Sequence, residues 1–221
     1  MLAETTQAVV ATPVRTAWPT EPTEHIAVAD IAALFTDLKG SSALYRRIGD
    51  AAAYRLIRQH FDLLSAIIAT CDGMLVKTIG DAVMAVFASP YLALKAALAI
   101  QAQMNGMGPD AAAGTRLTVK LGIHAGSALA VKRQDRCDYF GEVVNTAAQL
   151  RDISKGGEIV LSQAVAEDSR VQPLLAQPLL AGNRLTRDRI ALKGSDDIQP
   201  VARISRCLKI AAPAPREARR N

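Results

Sequence analysis

Residues 76–87, VKTIGDAVMAVF, decide how this chain is read. They form two short apolar runs with Ile79-Gly80 at the connection, where a tight hairpin needs a residue that accepts positive φ. Charge is rare inside strands, yet Lys77 stands just before the connection and Asp81 just after it. Upstream, the run Ile31-Ala-Ala-Leu-Phe35 leads into Thr36-Asp37-Leu38-Lys39-Gly40-Ser41-Ser42. Its unbroken apolar character marks a central strand buried on both faces, ending in a Gly/Ser loop. One carboxylate therefore sits at the end of a core strand and another at a hairpin tip. Each alone also fits ordinary turn or helix-capping chemistry. Together, two carboxylates beside a glycine loop repel unless a cation neutralises them. The reading that unites them is that Asp37 and Asp81 meet across neighbouring strands and hold a divalent metal over a phosphate. Oxygen-only ligands suit Mg²⁺ or Mn²⁺.

The rest of the loop supplies the anion's half. Gly40 lets backbone approach a phosphate closely, and a helix opening at Ser41 and Ser42 directs free N–H groups at it. The string is no Walker loop, since G-x-x-x-x-G-K-S/T is absent, and Lys39 stands where a D-x-D-G phosphatase loop has its second acid.

Half of the 221 residues are apolar (50%), enough for a full core, which excludes a globally disordered chain. The expected organisation is a flexible leader over residues 1–24, with Trp18 packing locally, one domain over 25–208, and a basic tail over 209–221. No signal pattern opens the chain, and no apolar run approaches the ~20 residues a membrane span needs. The three cysteines, Cys71, Cys137 and Cys207, lack zinc spacing and fit a reducing cytoplasm. The net charge of +5 is concentrated at Arg184, Arg187 and Arg189 and in the tail. With aromatics at only 4%, this is solvated charge rather than a nucleic-acid surface.

Taken in order, the pattern predicts a short helix over 41–48, a break at Gly49-Asp50, and a longer helix with a stripe of Tyr54, Ile57, Phe61, Leu64 and Ile68. Ser89-Pro90 opens another helix to about Met104. A linker over 106–114 precedes strands at 117–123 and 128–132, separated at Gly126, with a turn at 133–136. A helix over 141–153, a strand at 158–161, a short helix from Gln163, and strands near 189–192 and 201–205 complete the chain. That order describes an α+β fold, helices packed on a largely antiparallel sheet.

Several stretches together resemble the catalytic domain of class III adenylate/guanylate cyclases: LFTDLKGSS (34–42), KTIGDAVMAVF (77–87), KLGIHAG (120–126), DYFGEVVNTAAQL (138–150), GGEIVLS (156–162), ALKG (191–194) and PVARI (200–204). They stand in family order and cover roughly 28–206. The resemblance implies a ferredoxin-like core acting on ATP as a head-to-tail homodimer, with sites at the interface. Asp37 and Asp81, helped by the Leu38 carbonyl, would bind two Mg²⁺ or Mn²⁺ ions. From the facing subunit, Lys77 and Asp138 resemble the base-reading pair, the carboxylate accepting from adenine N6 and the lysine donating to N1. A guanine reader would need acceptors instead, so this pair favours ATP. Without the family, Lys77 is an edge lysine guarding a strand and Asp138 a loop aspartate. Asn145 resembles the ribose-positioning residue and Lys193 the residue gripping the terminal phosphates. His124, in the family's G-I-H-x-G string, reads as structural.

One position departs from the family. After Val144-Asn145-Thr146-Ala147-Ala148, where the family carries arginine, this chain has Gln149. Arg151 is near in sequence, but two helical residues turn through ~200°, so it is expected to point away from the Asn145/Gln149 face. Losing such a charge clamp costs ~10³–10⁵ in rate, and losing a single donor ~10²–10³. The leading reading is an adenylate cyclase of reduced or differently supported activity; the alternative is a silent cyclase-like nucleotide-binding module. A basic nucleic-acid-binding protein, needing no metal, ranks last. Gln149→Arg separates the first two: a large gain in cyclic AMP for the enzyme, silence with retained ATP binding for the module.

Overall fold

The buried run around Ile31 is the centre of a sheet. The computed structural model describes residues 24–106, 117–134, 136–176, 182–194 and 198–206. The first 23 residues with Trp18, most of the linker over 106–114, and the basic tail with Cys207 lie outside the described residues. β1 (Glu24–Leu38) pairs antiparallel with β3 (Ala82–Phe87) on one side and with β4 (Val119–Arg133) on the other. The remaining strands are β2 (Gly73–Ile79), β5 (Arg136–Phe140), β6 (Glu158–Ser162), β7 (Asn183–Ala191) and β8 (Ile198–Arg206). The sheet runs β2-β3-β1-β4-β6-β8-β7, with β5 hairpinned onto β4. Only the β4–β6 pair is parallel among the described ladders. The fold is α+β, as expected.

The period-two alternation of β1 feeds two cores. Ala32, Leu34 and Leu38 face α2 (Asp50–Thr70) and α3 (Pro90–Gly106), meeting Ile57, Leu64, Leu94 and Ile100. Ile31, Ala33 and Phe35 face α4 (Glu142–Asp152), meeting Val143 and Ala147. The short α1 (Ser41–Ile48), α5 (Gln163–Ala166) and α6 (Gln172–Ala176) complete the helices. At the far end of the sheet, the buried Glu158 carboxylate takes Arg203 at 3.1 Å and the Lys155 N–H at 2.6 Å, closing β6 onto β8.

Three expectations are corrected. The strands at 117–123 and 128–132 are one strand, β4; Gly126 does not interrupt it. It is a packing glycine, because a Cβ there would lie 2.9 Å from Val143 Cγ2. The buried stripe of α2 is Ala53, Ile57, His60, Leu64 and Ile68. Tyr54 is 59% exposed and Phe61 half-buried, so Ala53 and His60 take their places in the stripe, while Ile57, Leu64 and Ile68 are buried as expected. The hairpin loop is Gly80-Asp81, with Gly80 at φ 63° and Ile79 paired to Ala82 inside the ladder.

α4 lies unusually close to the sheet. A Cβ on Gly122 would stand 2.1 Å from the Arg151 amide nitrogen and 2.5 Å from the Ala147 carbonyl oxygen, both backbone atoms that cannot swing aside. Gly122→Ala is therefore expected to lower the unfolding free energy by at least ~1–3 kcal/mol in urea denaturation, through overpacking that pushes α4 outward. Wild-type stability in that variant would contradict the close approach.

Candidate active site

Asp37 is the last odd-numbered residue of β1, on the α4 side of the sheet, and Asp81 fills the second position of the β2–β3 loop. β1 and β3 are neighbours, in register from Ala32↔Phe87 to Thr36↔Val83, so their ends bring both acids to one edge. Burial raises the Asp37 pKa most, repulsion from Asp81 raises it further, and Arg151 and Lys120 pull it down. Asp81 Oδ2 is buried with no hydrogen-bond partner among the described residues.

An orphaned buried carboxylate oxygen beside a second, charge-stressed carboxylate is a donor set that fits Mg²⁺ or Mn²⁺, with water and phosphate oxygens completing the shell. No three His, Cys, Asp or Glu side chains among the described residues gather into a site the protein could complete alone. Leu38, expected to lend its carbonyl, is the final residue of β1, paired with Val119. Gly40 adopts φ 82° at the start of α1, and no side chain caps that helix, so Ser41 and Ser42 open it as expected.

Lys77 and Asp138 lie 61 residues apart yet form a close ion pair, Nζ to Oδ2 2.7 Å and to Oδ1 2.8 Å. Lys77 also sits 5.4 Å from the centroid of the Phe140 ring, and the Tyr139 N–H donates to Asp138 Oδ1 at 2.8 Å. Lys77 is thus no free lysine guarding an edge, and Asp138 belongs to β5 rather than to a loop. Asn145 is exposed on α4. His124 is held through Nδ1 to Ser162 Oγ at 2.8 Å, and burial lowers its pKa, in keeping with a structural role.

Gln149 uses both ends of its amide on one main-chain residue. The Lys193 N–H donates to Oε1 at 2.6 Å, and Nε2 donates to the Lys193 carbonyl at 3.2 Å. The Lys193 side chain stays exposed beyond that tie. Gln149 thus anchors the β7–β8 connection, and an arginine at 149 would give up the carbonyl end of this pairing. Arg151 does point away from Gln149, as expected, but it lands on the acids. Its Nη1 is 3.7 Å from Asp37 Oδ1, its Nε 3.0 Å from Asp152 Oδ1, and its guanidinium 6.0 Å from the Phe35 centroid.

His60 was missed from sequence, although its i+3 and i+4 spacing from Ile57 and Leu64 was a readable signal. It is 2% exposed, and neither ring nitrogen has a partner among the described residues. The Thr36 hydroxyl is likewise buried and unpaired.

A family model described as the adenylate and guanylate cyclase catalytic domain matches residues 23–199. An adenylate cyclase of Lachancea kluyveri is 32% identical over 154 residues, 60% of this chain and 8% of that protein. The chain thus spans a small part of the curated relative it matches. The crystal structure of an adenylate/guanylate cyclase/hydrolase from Silicibacter pomeroyi superposes with a TM-score of 0.68 at 27% identity, covering 82% of this chain and 99% of that one. The adenylyl cyclase CyaB from P. aeruginosa shares the fold, with a TM-score of 0.67 at 20% identity over 84% of this chain and 98% of that one.

Burial pushes the His60 pKa from its ordinary 6.5 down to about 4, with the Asp81 charge acting in the opposite direction. The unfolded chain takes up that proton first. The stability that depends on a neutral His60 is therefore present above pH 6.5 and lost as the pH falls towards about 4. Between about pH 7 and pH 5 this amounts to roughly 2 kcal/mol of unfolding free energy. His60→Leu is expected to remove that part of the pH slope in urea titrations; an unchanged slope would mean that His60 is not buried neutral.

Proposed function

The chain belongs to the adenylate/guanylate cyclase catalytic domain family, and on that footing we propose that it converts ATP to 3′,5′-cyclic AMP and pyrophosphate. The observation that carries the reading is the pair of constellations on one sheet, Asp37 with Asp81 and Lys77 with Asp138. Asp37 and Asp81 would hold two divalent ions, which when bound stabilise charge on the ribose 3′-oxygen and the triphosphate. The Gly40-Ser41-Ser42 turn and Lys193 would hold phosphate oxygens, and Asn145 the ribose. The 3′-oxygen then attacks the α-phosphorus and pyrophosphate leaves. Lys77 offers a donor and Asp138 an acceptor to the base, the pattern adenine requires at N1 and N6.

Assembly as a head-to-tail homodimer goes with this reading. Ile26, Val28, Leu129 and Phe140 are 59%, 75%, 41% and 48% exposed, and they adjoin one another through Val28↔Leu129 and Leu129↔Phe140. Such a strip on the β1–β4–β5 arm, next to Asp138, suits coverage by a second copy. No helix among the described residues is long and apolar enough to cross a membrane.

One feature favours weak turnover or a silent nucleotide-binding module: Gln149 is uncharged and committed to the Lys193 main chain. Cyclic nucleotide formation from ATP and from GTP, each with Mn²⁺ and with Mg²⁺, tests the proposal. Product from ATP in preference to GTP is expected, falling ~10²–10³-fold or more in Asp81→Ala. ATP binding without product would select the silent module. If the sites are shared, mixing folded Asp81→Ala and Lys77→Ala chains restores activity from one intact site per mixed dimer. No recovery from dimerising variants would count against shared sites.

A further inference from the structure

The charge inventory around Asp37 is uneven. Asp37, Asp81 and Asp152 face Arg151 and Lys120, three carboxylates against two cations. Lys120 stands directly across the ladder from Asp37, while Arg151 reaches it from α4. Arg151 is well buried, its side chain 17% exposed, and its position is built: Gly122 admits the backbone, and the Phe35 ring lies alongside the guanidinium. Its Nε is satisfied by Asp152 and, at 3.4 Å, by the Ala148 carbonyl. By contrast its contact with Asp37 is loose at 3.7 Å, and among the described residues nothing accepts from Nη2. The fork is thus anchored at its base and open at its tip, beside the acid expected to bind metal. A guanidinium in that condition has donors to spare for phosphate oxygens, which its planar geometry matches.

We propose that Arg151 is the resident counter-cation of the carboxylate pair, which yields Asp37 to the divalent ion when nucleotide arrives and then takes phosphate oxygens of the triphosphate. It acts in cis, on the acids of its own chain, whereas Gln149 two residues earlier serves only to anchor the Lys193 loop. The inference rests on the metal-site reading above. It implies opposite effects on two ligands: Arg151 repels a bare metal ion but attracts a metal–nucleotide complex.

Mn²⁺ binding is followed by electron paramagnetic resonance on the full chain, first alone and then with a non-cyclising ATP analogue, in wild type, Arg151→Gln, Arg151→Lys and Asp37→Asn. Arg151→Gln is expected to bind bare Mn²⁺ ~3–10-fold more tightly. The same variant should bind the Mn²⁺–nucleotide complex ~10–100-fold more weakly. Arg151→Lys, which keeps the charge without the fork, should match wild type for bare metal while still losing nucleotide affinity. An arginine that only holds α4 in place would weaken both ligands together when removed, and that result overturns the inference, as does unchanged nucleotide affinity. Should Asp37→Asn bind bare Mn²⁺ as wild type does, the metal-site reading itself fails, whatever the Arg151 variants do.

Discussion

Two carboxylates that repel one another at the edge of a buried sheet are the constraint from which the rest of this structure follows. Asp37 is the penultimate residue of β1, whose residues 31–36 are buried, and Asp81 occupies the two-residue loop between β2 and β3. The β1–β3 ladder runs to Thr36↔Val83, which brings the ends of the two strands that carry the acids side by side. Proteins retain an arrangement of this kind where a cation makes it favourable. Burial first, and the charge of Asp81 second, raise the Asp37 pKa, while Asp81 Oδ2 is buried with no hydrogen-bond partner among the described residues.

The helix that overlies this edge redistributes the charge. In α4, position 149 carries a neutral amide and position 151 a guanidinium, and the structure gives the two side chains separate tasks. Gln149 holds the connection bearing Lys193, a two-point pairing that fixes the loop in place of any charge it could offer a reaction. Arg151 lies over the odd face of β1, brought there because Gly122 leaves no Cβ between strand and helix. A positive charge is therefore present near the acids of the same chain, in a place the family pattern does not lead one to look.

What the sequence made legible were features in which local chemistry and tertiary demand agree. The unbroken apolar run at 31–35, the positive φ of Gly80 and the 41–48 helix all survive, because strand burial, glycine's backbone freedom and helix breaking are settled within a few residues, whereas the hairpin loop sits one residue later than its apolar runs suggested. Lys77 and Asp138 were readable only through the family resemblance, since nothing in 61 residues of separation announces their 2.7 Å contact. Glycine misled at 126, where it relieves a clash with Val143 rather than ending a strand. Side-chain size misled in α2, where Tyr54 and Phe61 outweighed Ala53 and His60 in the apolar stripe although it is the smaller pair that is buried. The reach of Arg151 was invisible for another reason: helical geometry gave its direction correctly, but only the packed sheet shows what stands there.

The account depends on Asp37 and Asp81 acting together as a cation site over a nucleotide. Crystals grown with Mn²⁺ and a non-cyclising ATP analogue, with data collected at the manganese absorption edge, test this most directly. The account predicts anomalous peaks coordinated by oxygens of both Asp37 and Asp81 and bridged to the triphosphate, with the base against Lys77 and Asp138 of the facing copy. Nucleotide bound with no manganese at those two carboxylates would contradict it.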